Sequence, residues 1–210
     1  SGTISNNTVA PSRTPAPTPV PTPAPTPVPT PAPVEDCEID AFEHNQSNEY
    51  VVYNVDYSQH KYSSTHKNEP TGTSGDHGQG QLNSEQAWSA GSNNIYGTEY
   101  MQFDLDKEML ISGVAIQKRG DENSDQYVTR IAVKTSLDDT ISEEPILLEQ
   151  EIPYSQNGDK NEIVPVLFSE PVIAKTVRII VKGYNSHVSM RAGLLLTTNI
   201  SNTNGCKIIC

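Results

Sequence analysis

Basic side chains, cysteines, aromatic residues and long apolar runs are all scarce in this chain of 210 residues. Lys and Arg number 14 against 26 Asp and Glu, which leaves a net charge of −12. Nucleic acids and anionic membranes attract proteins through a positive field, so neither partner is expected. No apolar run approaches the length of about 18 residues that a membrane helix needs, so membrane insertion is not expected either.

The three cysteines lack the close C-x-x-C pairs of a zinc site and stand at Cys37, Cys206 and Cys210. A bridge from the first to one of the last two would join the ends of the intervening segment and indicates an oxidising, extracellular setting. The remaining cysteine is then free or pairs between molecules. The start Ser-Gly-Thr is that of a processed N-terminus, and three N-glycosylation sequons fit secretion to the cell surface or beyond, at Asn6, Asn45 and Asn199.

Catalytic and metal-binding motifs are also missing. There is neither a Gly-x-Ser-x-Gly elbow nor a glycine loop that would cradle phosphate, so no enzyme is predicted. The five histidines lack metal-ligand spacing; they are His44, His60, His66, His77 and His187. Two acidic pairs could bind calcium through their oxygens, but solvated turn residues explain them as well; these pairs are Asp104 with Asp106 and Asp138 with Asp139. We therefore predict no cofactor.

Most of the 16 prolines lie near the start of the chain. Every second residue from Thr14 to Pro33 is proline, and the unit Thr-Pro-Ala-Pro-Thr-Pro-Val-Pro occurs at 14–21 and again at 22–29. Fixed φ at each proline and extended geometry before it predict a polyproline II rod, about 60 Å long at about 3.1 Å per residue. Alternating Thr and Pro is typical of an O-glycosylated stalk, although a bare spacer is the alternative. The acceptors would be Thr14, Thr18, Thr22, Thr26 and Thr30.

We divide the chain into an N-terminal extension (1–13), a Pro-Thr-rich stalk (14–34) and a head (35–210). The extension has modest β character and could add as a strand to the sheet edge of a neighbour; a frayed terminus is the alternative. The head carries eight short β-rich runs separated by Gly, Asn, Asp and Ser, which predict an all-β antiparallel sandwich or jelly roll. The runs are Tyr50–Tyr57, Glu99–Leu105, Leu110–Lys118, Tyr127–Ser136, Ile146–Ile152, Glu162–Phe168, Val172–Lys182 and Val188–Leu196.

Six segments of the head, taken in order, resemble the discoidin family, also called the coagulation factor 5/8 type C family. They are QLNSEQAWSAGSNN (81–94), EYMQFDL (99–105), SGVAIQKRG (112–120), YVTRIAVKTSLD (127–138), FSEPVIAKTVRIIV (168–181) and HVSMRAGLLL (187–196). The resemblance implies an eight-stranded jelly roll whose ends are joined by a disulfide. It also implies a ligand surface on the loops at the opposite end.

The segments also indicate roles within the fold. Trp88 is expected in the core and not as a sugar platform, and Arg191 as a buried partner of Asp104 in an ion pair. The core should include Phe103, Leu105, Val114, Ile116, Ile131, Val133, Val177, Ile179 and Leu194. Two departures from the family pattern matter: Thr197–Gly205 separates the last strand from Cys206, and Gln81 and Gln86 stand where sugar-binding relatives have calcium ligands. The first leaves the pairing partner of Cys37 open, and the second argues against a calcium site.

Lectins of this family bind sugars through His, Arg, Asn and an aromatic residue on the tip loops. The matching candidates here are Tyr62, His66, Asn68, Arg119, Asp121, Glu122, Tyr184 and His187. Ordinary solvated loop residues are the alternative, and the loop before Trp88 lacks the apolar spikes of phospholipid-binding relatives.

Two functions remain. The first is an adhesive structural subunit, in which stalk and head join copies of this chain or other extracellular glycoproteins, with a surface filament as one form of the assembly. The second is a carbohydrate-binding lectin on a glycosylated spacer.

Overall fold

The computed structural model describes Gly2 and residues 50–93, 98–121, 125–138, 140–141, 144–155 and 158–197. The chain divides into two units, Ser1–Pro33 and Val34–Cys210. Apart from Gly2, the extension and the stalk lie outside the described residues. The same is true of the five stalk threonines, of the three cysteines and of Asn6, Asn45, Glu122, Asp139 and Asn199. Predictions on these positions stay predictions.

Within the described residues the head is an antiparallel β structure of eight strands, as the sequence predicted. The strands run in the order β1-β8-β4-β7-β5-β6, with β2 added to β4 and β3 added to β8. They are β1 (Tyr50–Tyr53), β2 (His60–Tyr62), β3 (Trp88–Ser89), β4 (Tyr100–Gln117), β5 (Tyr127–Ser136), β6 (Leu147–Glu151), β7 (Val164–Asn185) and β8 (Ser189–Thr197). Two short 3-10 turns, Tyr57–Gln59 and His66–Asn68, are the described helical elements. None of the described helices could cross a bilayer.

Two strand boundaries differ from the prediction because extended backbone continues through polar segments. The runs predicted at 99–105 and 110–118 form the single strand β4, and those at 162–168 and 172–182 belong to β7. Asp106–Glu108 is exposed and interrupts the apolar alternation, which is why the sequence divides there. The chain absorbs these extra residues as register shifts between Asp104 and Met109 and again between Ile111 and Gly113. Strands β2 and β3 are too short for an alternation signal, and the sequence did not predict them.

Strand β8 lies at the centre of the core because both of its faces are covered. Leu194 and Leu196 belong to the main apolar cluster, together with Trp88, which is fully buried. Leu195, which points the opposite way along the strand, belongs to a second cluster with Ala115. All nine residues predicted for the core are buried, as is Trp88. At the far end of the sheet, β6 is an edge strand with four of its five residues exposed.

The predicted ion pair between Arg191 and Asp104 is wrong. Asp104 instead pairs with Lys61 on the neighbouring strand β2. Arg191 is 1% exposed and donates three hydrogen bonds to backbone carbonyls. The acceptors are the oxygens of Lys118 (2.7 Å), Ser84 (2.7 Å) and Lys160 (2.5 Å). The cation is therefore buried as expected, but it is stabilised by three backbone carbonyl groups and not by a carboxylate.

Candidate functional site

The loop that follows β2 positions His66 at the start of a 3-10 turn. Glu69 fastens this loop to a second loop, because its Oε2 accepts the backbone N–H of His77 at 2.9 Å. Trp88 fastens it to the core by donating its indole N–H to the carbonyl of Ser64 at 2.8 Å. The rings of His66 and His77 then lie 4.6 Å apart, measured between centroids. The fold thus makes direct neighbours of His66 and His77, although their spacing in the sequence matches no metal-binding motif.

Arg119 comes directly after β4 and is almost fully buried, with 8% exposure. Its Nη1 donates to Ser89 at 3.0 Å and to Gln126 at 3.2 Å, and its Nη2 donates to Gln86 at 2.6 Å. The carboxylate of Asp121 lies 3.7 Å from Nη2. This network holds the guanidinium rigidly among four loops and strands.

His187 lies in the tight turn between β7 and β8, next to Ser186 with its positive φ of 57°. Its Nδ1 contacts the carbonyl oxygen of Val188 at 3.1 Å, which fixes the ring. The ring meets that of His66 edge-on at 5.9 Å. The backbone N–H of Val188 in turn donates to Asn93 at 3.1 Å, so the turn is held against the loop after β3.

These side chains surround one cavity of about 180 Å³, called here the histidine–arginine cavity. It is lined by His66, His77, Ser89, Arg119, Gln126 and His187. Every lining residue carries a hydrogen-bonding group, and no Phe, Tyr or Trp is among them. The cavity can therefore bind a small polar ligand by hydrogen bonds and the faces of imidazole rings.

The structure brings three of the predicted ligand residues together in this cavity, namely His66, Arg119 and His187. Asp121 lies beside it through its contact with Arg119. Asn68 is exposed on the same turn as His66 but does not line the cavity. Tyr184 packs against the main apolar cluster.

Tyr62 is placed differently from the expectation that it offers a ring to a sugar. Its ring stacks on Trp88 with centroids 5.4 Å apart and planes inclined by 10°. Its hydroxyl donates to the carbonyl of Gly78 at 3.1 Å and accepts the N–H of Gly80 at 3.0 Å. Burial accordingly raises the pKa of Tyr62 well above the usual range. Because both ring and hydroxyl are engaged, we leave Tyr62 out of the candidate site.

Three lining residues were not foreseen, namely His77, Ser89 and Gln126. His77 lies in a Gly-rich loop whose path is set by Glu69, a contact that no local pattern indicates. Ser89 and Gln126 reach the cavity only through the network around Arg119. Among the described residues, no group of three or more His, Cys, Asp or Glu side chains has an arrangement that could hold a metal ion. The histidines are therefore treated as hydrogen-bonding groups.

The eight-stranded antiparallel head with a polar cavity between its loops defines a β domain of the ligand-binding type. Comparison with known proteins gives the family. The F5/8 type C domain family matches residues 55–194, and the chain belongs to this family.

Individual relatives are distant. Retinoschisin of Takifugu rubripes is 26% identical over 106 residues, which cover 49% of this chain and 36% of that protein. The chain thus spans about a third of the curated relative that it matches. Discoidin II of Dictyostelium discoideum is similar in structure, with 23% identity, a TM-score of 0.43, and coverage of 68% of this chain and 51% of that one. The family 32 module of NanJ from C. perfringens, solved with galactose, has 15% identity, a TM-score of 0.46, and coverage of 68% and 97%.

Proposed function

We propose that the head is a non-catalytic, extracellular adhesive module that binds carbohydrate in the histidine–arginine cavity. The observation that carries this proposal is the convergence of His66, Arg119 and His187 on one cavity. These residues are far apart in the sequence, and the resemblance to the family had already suggested them as ligand residues.

The chemistry of the cavity fits a sugar. Sugar hydroxyls both donate and accept hydrogen bonds, and the cavity supplies both kinds of group through imidazole, amide, hydroxyl and guanidinium. Arg119 is already held by Ser89, Gln126 and Gln86, so its position costs little further ordering on binding. In the absence of a Phe, Tyr or Trp at the lining, hydrogen bonds would dominate recognition over stacking. The volume of about 180 Å³ suits the end of a glycan better than a long stretch of it.

Replacement of His66 or His187 by Ala is expected to weaken binding of the best glycan at least about tenfold, since each change removes a hydrogen-bonding ring from the cavity. A glycan array identifies the ligand, and titration calorimetry then measures the affinity of each variant. Lys67→Gln is the matched control, because Lys67 lies on the same turn, is exposed and does not line the cavity. Equal affinity in all three variants would place the sugar elsewhere on the head, and no binding to any glycan would remove the proposal.

The second proposed function, an O-glycosylated stalk that presents the head and supports self-association, is based on the repeat at 14–33. Intact-mass analysis of secreted protein is expected to show excess mass on the Pro-Thr peptide. Electron microscopy of the same sample is expected to show filaments with a regular repeat if stalk and head also join copies together. An unmodified peptide in dispersed monomers would contradict both parts.

A further inference from the structure

Two buried nitrogen atoms without a hydrogen-bond partner belong to the same cavity. Among the described residues, the buried side-chain nitrogen and oxygen atoms that lack a partner are Nε of Arg119 and Nδ1 of His77. Both residues line the histidine–arginine cavity. A buried donor without an acceptor costs about 1–3 kcal/mol, so such a group calls for a missing partner. The Nε–H of Arg119 is always a donor, so its missing partner is an acceptor, whereas Nδ1 of His77 donates in only one tautomer of the neutral ring.

Glu69 lies close to one of these atoms. Its Oε2 lies 3.0 Å from Nδ1 of His77 and also accepts the backbone N–H of His77 at 2.9 Å. The carboxylate of Glu69 is therefore within ion-pairing distance of this ring, and the donor that lacks any acceptor is Nε of Arg119. The hydrogen bonds of Arg119 to Ser89, Gln126 and Gln86 are donated by Nη1 and Nη2, so Nε has no acceptor.

The charges around the cavity are nearly balanced at neutral pH. Arg119 faces Asp121, and Glu69 faces His77. Lys67 is exposed on the turn beside His66 and acts on it through its charge. Three imidazoles meet at the cavity next to the buried guanidinium of Arg119. Protonation of His66 would add positive charge beside that guanidinium, so the cavity becomes more cationic as the pH falls.

We propose that the ligand of this cavity carries an oxyanion, so that the head selects acidic sugars, whose carboxylate or sulfate contacts Arg119 and the three histidines. The inference deepens the proposed function and rests on it. A carboxylate supplies an acceptor to the Nε–H of Arg119, which has none, and its charge matches the ring of His66 once that ring is protonated. Charge-assisted hydrogen bonds are about twice as strong as neutral ones, so the acidic sugar binds more tightly than its neutral counterpart.

The protonation of His66 gives a specific readout. Its pKa lies below the usual value of 6.5, because of desolvation first and then the neighbouring His77 and His187. A bound anion stabilises the protonated ring and raises that pKa. By linkage, the same anion binds more tightly as the pH falls through this range.

Galacturonate and galactose form the matched ligand pair, since they differ only in a carboxylate in place of a hydroxymethyl group. At pH 5.5 we expect galacturonate to bind at least about tenfold more tightly than galactose, and this preference to shrink by pH 7.5. Proton NMR titration should show the pKa of His66 rising with galacturonate and unchanged with galactose. The double variant H66Q/H187Q keeps polar side chains at two partly exposed positions and leaves Arg119 in place, so its preference for galacturonate is expected to persist but to lose most of its pH dependence.

The outcomes separate the two proposals. Equal binding of the two sugars at pH 5.5 would overturn the acidic preference and leave carbohydrate binding intact. A preference in H66Q/H187Q that keeps the full pH dependence of the natural protein would place the anion away from these rings and overturn the inference, as would a preference abolished by a chelator. Galactose 6-sulfate tests whether a sulfate can replace the carboxylate. Failure of every sugar on the array as well would instead overturn the proposed function.

Discussion

Replacement of Arg191 by Met is expected to lower the free energy of unfolding of the head by about 4 kcal/mol. Methionine has a similar length but cannot donate, so the carbonyls of Ser84, Lys118 and Lys160 would lose their buried partner. Each hydrogen bond to a charged group contributes about 1.5–3 kcal/mol, and buried acceptors without a donor add their desolvation cost. Since domains of this size are stable by about 5–15 kcal/mol, the variant should approach the limit of folding.

Urea denaturation followed by tryptophan fluorescence measures this effect, since Trp88 is the only tryptophan and lies in the core. The control is Arg130→Met. Arg130 pairs with Glu149 at 3.1 Å, and the two side chains are 42% and 57% exposed, so the loss should stay below about 1 kcal/mol. Arg191→Lys should fall between the two, because one ammonium cannot reach three divergent carbonyls. A loss below about 1 kcal/mol in Arg191→Met would show that the carbonyls find other donors.

Arg191 remains charged throughout the physiological range. Burial lowers its pKa to about 10, which still leaves the guanidinium protonated at neutral pH. Its three acceptors include the carbonyl of Lys118, the residue before Arg119. Loss of Arg191 should therefore loosen the end of β4 that carries a wall of the histidine–arginine cavity. Arg191 variants that still fold are therefore expected to bind the ligand more weakly than the natural protein.

Acidification from pH 6.5 to 4 is expected to destabilise the head by about 3 kcal/mol through His60 alone. Burial lowers the pKa of His60 to about 4 in the folded chain, against 6.5 for an ordinary histidine. Its ring packs edge-on against Phe103 with centroids 4.8 Å apart, and its Nε2 lies 3.1 Å from the carbonyl oxygen of Val55. Between these two pH values the unfolded chain binds a proton that the folded chain excludes. Stability from this group is complete above pH 6.5 and is lost as the pH falls to 4.

The variant His60→Gln isolates this effect because glutamine can still donate to Val55 but does not titrate. Urea midpoints at pH 7.5, 5.5 and 4 should fall steeply in the natural protein and less steeply in the variant. Carboxylates titrate equally in both, so the difference between the two slopes belongs to His60. If the midpoints of both proteins fall equally with pH, His60 contributes nothing to the pH dependence, which would mean that its ring is hydrated in the folded head. Replacement of the half-buried His66 by Gln should change the slope less, which provides the matched control.

The core of the head could be predicted from the sequence because burial leaves an alternating pattern. Ile131 and Val133 lie on one face of β5 and are fully buried, whereas Arg130 and Lys134 on the other face are only partly buried. The boundaries of β4 and β7 could not be predicted, because the sequence of a polar segment within a bulged strand is indistinguishable from that of a loop. Asp106–Glu108 is the example.

The site could be predicted in part for a similar reason. The family resemblance suggested His66, Arg119 and His187 as ligand residues, and these three line one cavity. The partners of Arg191 could not be found, because any residue can offer a backbone carbonyl and the sequence carries no mark of which one does. His77 was missed because its position depends on hydrogen bonds to Glu69, eight residues away, and to the backbone of Ser89, which no local pattern indicates.

The exposed edge strand β6 influences how heads behave when they are crowded. Leu148 on this strand is 74% exposed, which alone would invite pairing with another chain. Glu149 and Glu151 are exposed on either side of Gln150 and place negative charge along the open edge. Two such edges repel each other when they approach, and exposed charge is a common device against strand addition. Densely packed heads should therefore not pair through their β6 strands, and the loops that surround the histidine–arginine cavity stay accessible to a neighbouring surface.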